Sequence, residues 1–149
     1  MVGMSQRPKA VVVLVMNANR HVLAVSRKGK LDDLGLPGGK IDPTDESPVH
    51  ALCREIQEEV GIRVLPEELV FVYERVDPAT NVVAWCYAFM WDPTRGLPKA
   101  VEPNTWVGFV PPERLLEASN LFHEYNLGLF KHVGLVSRLT PHGNDPGVE

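Results

Sequence analysis

Only two of the 149 residues are cysteine, no apolar run is long enough to span a bilayer, and neither sign of charge is gathered into a block. Each shortage closes off a class of protein. Cys53 and Cys86 lie in separate apolar stretches without a CxxC or Cys/His spacing, so a zinc-stapled or disulfide-stapled scaffold is excluded and reduced core thiols are expected. The longest strongly apolar segment, Ala10 to Met16, falls far short of the ~20 residues a membrane helix needs. Arg7 and Lys9 precede it, yet it runs into Asn17-Ala18-Asn19-Arg20 without a small-residue cleavage site. It reads as a buried strand, and the chain as cytoplasmic. Nineteen acidic against fifteen basic residues leave a net charge of −4, which gives no general attraction for a long nucleic acid. A small phosphorylated ligand stays open wherever basic residues gather locally.

What is present suits one domain over 1–149, with about 1–8 and 141–149 loose. Val11 to Met16 and His21 to Ser26 are β-branched and apolar on either side of a short polar turn, which predicts a hairpin. Lys28 to Asp45 turns to Gly, Pro, Asp and Lys, and its Leu36-Pro37-Gly38-Gly39 reads as a loop whose backbone approaches something closely. A helix follows, with Ser47 as N-cap, Pro48 at the first helical position and Gly61 placed to end it left-handed.

Leu69 to Arg75 and Val82 to Trp91 are strands joined by the turn Asp77 to Asn81. In the second, Val83, Trp85, Tyr87, Phe89 and Trp91 point one way and Val82, Ala84, Cys86, Ala88 and Met90 the other. Both faces are then buried, as in a central strand covered by helices on each side. A strand over Thr105 to Val110, a short helix from Pro111-Pro112 to about Ala118 and a last helix over Glu124 to Arg138 complete the order. Strands, helix, strands, helix predicts an α/β sandwich on a mixed sheet.

Chemistry concentrates on the helix after Ser47. Val49, Leu52, Ile56 and Val60 form its apolar stripe, with Cys53 beside them. At roughly 100° per residue, Glu55, Glu58 and Glu59 then share an arc of about 100° next to that stripe. Ala51, one turn before Glu55, is expected to leave space in front of the acids. Like charges so spaced oppose helix formation by a few tenths of a kcal/mol per pair, so something should neutralise them. Oxygen-only donors suit Mg²⁺, with Mn²⁺ as a substitute; a solvated acidic face paired with Arg54 is the plainer alternative.

The stretch GLPGGKIDPTDESPVHALCREIQEEVGI resembles the box of the Nudix hydrolases, and MutT-like members in particular. That pattern is Gly, five free positions, Glu, seven free positions, then Arg-Glu-U-x-Glu-Glu-x-Gly-U, with U bulky and aliphatic. Glu46, Arg54, Glu55, Ile56, Glu58, Glu59, Gly61 and Ile62 match, with seven residues between Glu46 and Arg54. The glycine end departs from it: six residues separate Gly39 from Glu46, so Asp42-Pro43-Thr44-Asp45 holds one extra residue. The resemblance implies a Nudix fold, an α/β/α sandwich with a mixed β-sheet and a catalytic loop-helix-loop. It further implies that Glu55, Glu58 and Glu59 bind the metal, that Arg54 pairs with and orients a glutamate, and that a carbonyl near Gly38 completes the metal shell.

The reaction so implied is Mg²⁺-dependent hydrolysis of a phosphoanhydride in a small nucleotide, first of all a nucleoside triphosphate giving monophosphate and pyrophosphate. ADP-ribose, nucleotide sugars and dinucleoside polyphosphates are alternatives, as is a module that senses a nucleotide without cleaving it. Glu58 is the first choice of base for the attacking water and Glu102 the second. Glu102 is also a candidate metal ligand, because family members often place an acid in the loop before the Thr105 strand. Arg27 and Lys28 could meet substrate phosphates or form a solvated basic pair. Gly38 and Gly39 would admit substrate to bare backbone. Trp106, Trp85 or Tyr87 could stack on a base, with core packing as the alternative. Glu113 reads as a first-turn helix acid and His123 as structural. A small nucleotide is the expected partner, with a homodimer admitted and neither long nucleic acid nor membrane.

Overall fold

The computed structural model describes residues 7–136. The ends expected to be loose fall outside that range apart from Arg7 and Pro8. Seven strands form one sheet: β1 (Ala10–Met16), β2 (Val22–Arg27), β3 (Lys30–Gly35), β4 (Gly38–Lys40), β5 (Val70–Val76), β6 (Val83–Met90) and β7 (Val107–Val110). Among the described residues two α-helices, α1 (Pro48–Val60) and α2 (His123–His132), lie on it. The main path runs β3-β2-β1-β6-β5, with β4 on β1 and β7 on β2. β1 and β6 are parallel, from Ala10 opposite Ala84 to Met16 opposite Met90, whereas the other pairs are antiparallel. The sheet is therefore mixed, as expected.

Alternation along β1 and β6 builds two cores, one on each face. Val11, Val13 and Val15 meet Leu52, Ile56 and Val60 of α1, with Trp85, Tyr87 and Trp91 packed alongside. Leu14, Ala84 and Cys86 meet Tyr125, Leu129 and Phe130 of α2. Burying each of the large aliphatic side chains of α1 contributes about 1.5–3 kcal/mol relative to exposure. The two-faced character expected of β6 holds except at Met90, which is exposed. Both cysteines are free, and burial pushes their thiols upward.

Three expectations need correction. The segment Lys28 to Asp45 is more than a loop: β3 pairs β2, and β4 pairs β1 with Val11 opposite Gly39 and Val12 opposite Gly38. The helix after Pro111 is a single 3-10 element, Pro112–Leu116, although Glu113 does lie in its first turn. The last helix stops at His132 because Gly134 takes φ 80, its N–H bonds the Lys131 carbonyl and the Leu135 N–H bonds that of Phe130. That is a Schellman closure, which ends this helix before Gly134; Arg138, its expected end, lies outside the described residues.

Candidate active site

The register of α1 is set at both ends. The Ser47 side chain accepts the His50 N–H at 3.2 Å, and Gly61 at φ 73 donates to the Gln57 carbonyl at 3.2 Å. A cap of this kind is worth about 1 kcal/mol. With Ala51, Leu52, Ile56 and Val60 buried, the acidic side is turned toward the glycine segment. Ala51 therefore lies in the core rather than in front of the acids.

Gly38 and Gly39 pass directly over the carboxylates. The Gly38 N–H donates to Glu59 Oε1 at 3.0 Å, and any side chain on Gly39 would begin 2.6 Å from Glu55 Oε2. Burial pushes the Glu59 carboxyl up to about 8; the Gly38 N–H opposes this, and the charges of Glu55 and Glu102 add to it. Burial also raises Glu55, against the pull of Arg54. Glu55 and Glu59 are within hydrogen-bonding reach of each other, so with both ionised they repel. Glu58 is 52% exposed and pairs with Arg54 Nη1 at 3.3 Å. Glu102 is exposed in a loop strapped to the end of α1, where the Lys99 N–H bonds the Val60 carbonyl at 3.0 Å and the Val101 N–H that of Glu59 at 3.4 Å.

This donor set fits a hard divalent cation. It is oxygen-only and presses two half-buried carboxyls together, with the Arg54 guanidinium beside Glu55. Among the described residues no three Asp, Glu, His or Cys side chains already converge as a closed cage.

Arg54 fans across the site. Its Nε and Nη2 donate to the two Asp45 oxygens at 3.0 and 2.9 Å, and its Nη1 to Glu55 Oε2 at 3.2 Å as well as to Glu58. Asp45 escaped the sequence reading. Glu46, the acid matched by counting back from Arg54, points away, 80% exposed and 3.7 Å from His50 Nε2.

Gly38, Gly39 and Lys40 also form one wall of a cavity of about 710 Å³ on the α2 face of the sheet. Ala10, Val12, Leu34 and Ala84 form an apolar floor, and Leu121, Phe122, Tyr125 and Asn126 close it. Arg27 belongs to this wall, where it pairs with Asp33 at 3.3 Å. Lys28 is exposed on the following turn and lies outside the lining. Trp106 is also outside it, 39% exposed with its ring over Gly108. Its backbone N–H instead ties β7 to Ser26 Oγ at 2.8 Å. Trp85 and Tyr87 pack on the α1 side of the sheet, away from the cavity. His123 Nδ1–H donates to the Asn120 carbonyl at 2.9 Å, a contact with the local backbone. The lining residues Tyr125 and Asn126 were also missed. Their signal was a pair of polar groups on the buried stripe with Leu129 and Phe130; Tyr125 Oη donates to the Ala84 carbonyl at 3.0 Å and Asn126 Nδ2 to that of Leu115 at 3.1 Å.

Comparison with known proteins locates this arrangement. A MutT-like protein of Streptomyces ambofaciens is 31% identical over 108 residues, covering 72% of this chain and 66% of the relative. The human mitochondrial coenzyme A diphosphatase NUDT8 is 38% identical over 92 residues, covering 59% and 38%. The CTP pyrophosphohydrolase of Escherichia coli K12 is 37% identical over 68 residues, covering 44% and 50%. The chain thus spans between about two fifths and two thirds of these relatives' lengths. A solved MutT Nudix hydrolase from Burkholderia pseudomallei superposes with a TM-score of 0.60 at 25% identity, covering 84% of this chain and 98% of that one. The family model for the NUDIX domain matches residues 6–128, and with the fold and the acidic helix in agreement the chain belongs to the Nudix family.

Proposed function

We propose that this protein is a Nudix hydrolase that cleaves nucleoside triphosphates to monophosphate and pyrophosphate with Mg²⁺, or Mn²⁺ in its place. The observation that carries the proposal is the half-buried Glu55–Glu59 pair beneath Gly38 and Gly39, at the wall of the cavity. Glu55, Glu58 and Glu59 would hold the cation, with Glu102 and the Gly38 carbonyl as further donors. When bound, it would neutralise charge on the diphosphate oxygens and make water a better nucleophile at neutral pH. Glu58, exposed and paired with Arg54, would take the proton of the attacking water, with Glu102 as second choice. The apolar cavity takes the nucleoside, and Gly38 and Gly39 let phosphate approach bare backbone. Arg27 would meet a phosphate by exchanging Asp33 for it. Two free thiols support a cytoplasmic setting.

The CTP pyrophosphohydrolase and MutT-like relatives support the triphosphate; the coenzyme A diphosphatase makes coenzyme A the principal competitor. A nucleotide panel with Mg²⁺, with phosphate and pyrophosphate measured separately, decides between them. Pyrophosphate release, fastest from a triphosphate and lost in EDTA, is expected. Faster cleavage of coenzyme A, ADP-ribose or a dinucleoside polyphosphate would move the substrate assignment, and turnover undiminished by EDTA would end the metal assignment.

A further inference from the structure

Counted from the glycine end, the box gives a different result. Five residues, Lys40 to Thr44, separate Gly39 from Asp45, and eight separate Asp45 from Arg54. The extra residue then falls between the acid and the helix, as Glu46, and no longer inside the loop. The structure bears this out on each side of the pair. The Asp45 side chain is 8% exposed and takes the Nε–Nη2 edge of the Arg54 guanidinium in a bidentate pair. Glu46 is turned to solvent ahead of the Ser47 cap, where an added residue disturbs nothing.

We infer that Asp45, and not the motif-matched Glu46, is the positioning acid of this site, fixing Arg54 so that Glu55 and Glu58 are held for a divalent cation. A turn presets it: the Asp42 N–H donates to Asp45 Oδ2 at 2.8 Å, and the Asp45 N–H to the Asp42 carbonyl at 3.0 Å. With Nε and Nη2 engaged, the guanidinium plane is fixed and only Nη1 faces Glu55 and Glu58. Without Asp45 the guanidinium would be free to turn its paired donors onto those two carboxylates. It would then compete with the cation for the same oxygens. The inference rests on the proposed reading of the site as a cation-dependent hydrolase, but its test reads cation binding and arginine geometry as well as turnover.

The test compares Asp45→Asn, Asp45→Glu and Glu46→Gln for Mn²⁺ affinity by calorimetry and for kcat and KM on the best nucleotide. Loss of such an outer partner weakens metal binding by about tenfold or more, and Asp45→Asn is expected to show this with a comparable fall in kcat and KM within about threefold. Asp45→Glu should recover most of both, and Glu46→Gln should stay within about twofold of the parent. A folded Asp45→Asn protein with parental Mn²⁺ affinity and kcat would overturn the inference, as would a Glu46→Gln loss equal to that of Asp45→Asn. Should Asp45→Asn fail to fold, the Arg54 Nε–Hε resonance decides. Protected from exchange in the parent and unmoved by Glu46→Gln, it supports the pairing; shifted and deprotected by Glu46→Gln, it overturns it. A parent inert toward every nucleotide would sink the proposed activity while leaving the Mn²⁺ and resonance measurements to judge Asp45.

Discussion

Glu59 is buried enough to resist ionisation, yet it stands beside Glu55, another carboxyl, with the Gly38 N–H for relief. Glu59→Gln keeps size, helix propensity and an oxygen that can still accept the Gly38 N–H, so the change isolates the carboxyl's ability to ionise when a cation binds. Without metal the variant should melt at or slightly above the parent's temperature. With Mg²⁺ the order should reverse, since the parent gains stability by binding the ion in its folded state. Turnover should fall by about a hundredfold or more. Activity within about threefold of the parent, with an equal Mg²⁺-induced rise in melting temperature, would mean the acidic face is only solvated surface. The two glycines separate fold from chemistry. Gly38 has φ 153 and a methyl there would overlap the Val11 carbonyl, so Gly38→Ala should cost more than about 2 kcal/mol by lifting β4 off β1. At Gly39 the obstacle is the carboxylate end of the Glu55 side chain and not backbone, so Gly39→Ala should alter stability by less than about 1 kcal/mol yet cut turnover by about tenfold or more. Denaturant melts beside rates test this, and the reverse assignment of losses would break the account.

Among elements, α1 was legible because its signals are local: Ser47 caps it, Pro48 starts it, the stripe at Leu52, Ile56 and Val60 seats it, and Gly61 stops it. β4 was not legible. Two of its three residues are glycine, poor strand formers, and it exists because β1 offers an edge that pairs Val11 and Val12. Asp45 was misplaced for a related reason, since counting from Arg54 assumed the added residue lay nearer the glycines. The 3-10 turns Pro66–Glu68 and Pro93–Arg95 also escaped notice, though they are linked by Arg95 and Glu68 at 3.0 and 2.5 Å. Arg95 beside it holds the Glu68 carboxyl at about 2, well below its ordinary 4.5. A depressed carboxylate stabilises the fold above its unfolded value and loses that contribution as pH falls from about 4.5 through about 2. Glu68→Gln should therefore melt a few degrees below the parent at pH 7, with the gap closing between pH 5 and 2. A gap independent of pH over that interval would show that the variant acts through packing.

At the scale of the whole molecule, the two cores were foreseeable from the alternation along β6, because small residues on one face and aromatics on the other demand different coverings. The cavity was not foreseeable. It arises where β2, β3 and β4 fan out at the Ala10 end of β1 and the start of α2 spans the gap, a relation among segments more than a hundred residues apart. That distance explains why base stacking was looked for among the aromatics Trp85 and Tyr87, which lie on the α1 face of the sheet opposite the cavity, while Leu121 and Phe122 went unremarked. Leu121 offers a clean test, for it lines the cavity yet is 51% exposed and makes little contribution to the core. Leu121→Ser should leave the melting temperature nearly unchanged. If the nucleoside rests in the cavity in both ground and transition states, losing that contact removes uniform binding: KM rises by about fivefold while kcat stays within about twofold. The metal-dependent stabilisation should be parental, since Leu121 lies in the cavity roof and the carboxylates sit under the glycine wall. The opposite pattern, a parental KM with a reduced kcat, would place the nucleoside elsewhere and make the cavity roof a mobile cover over the reaction.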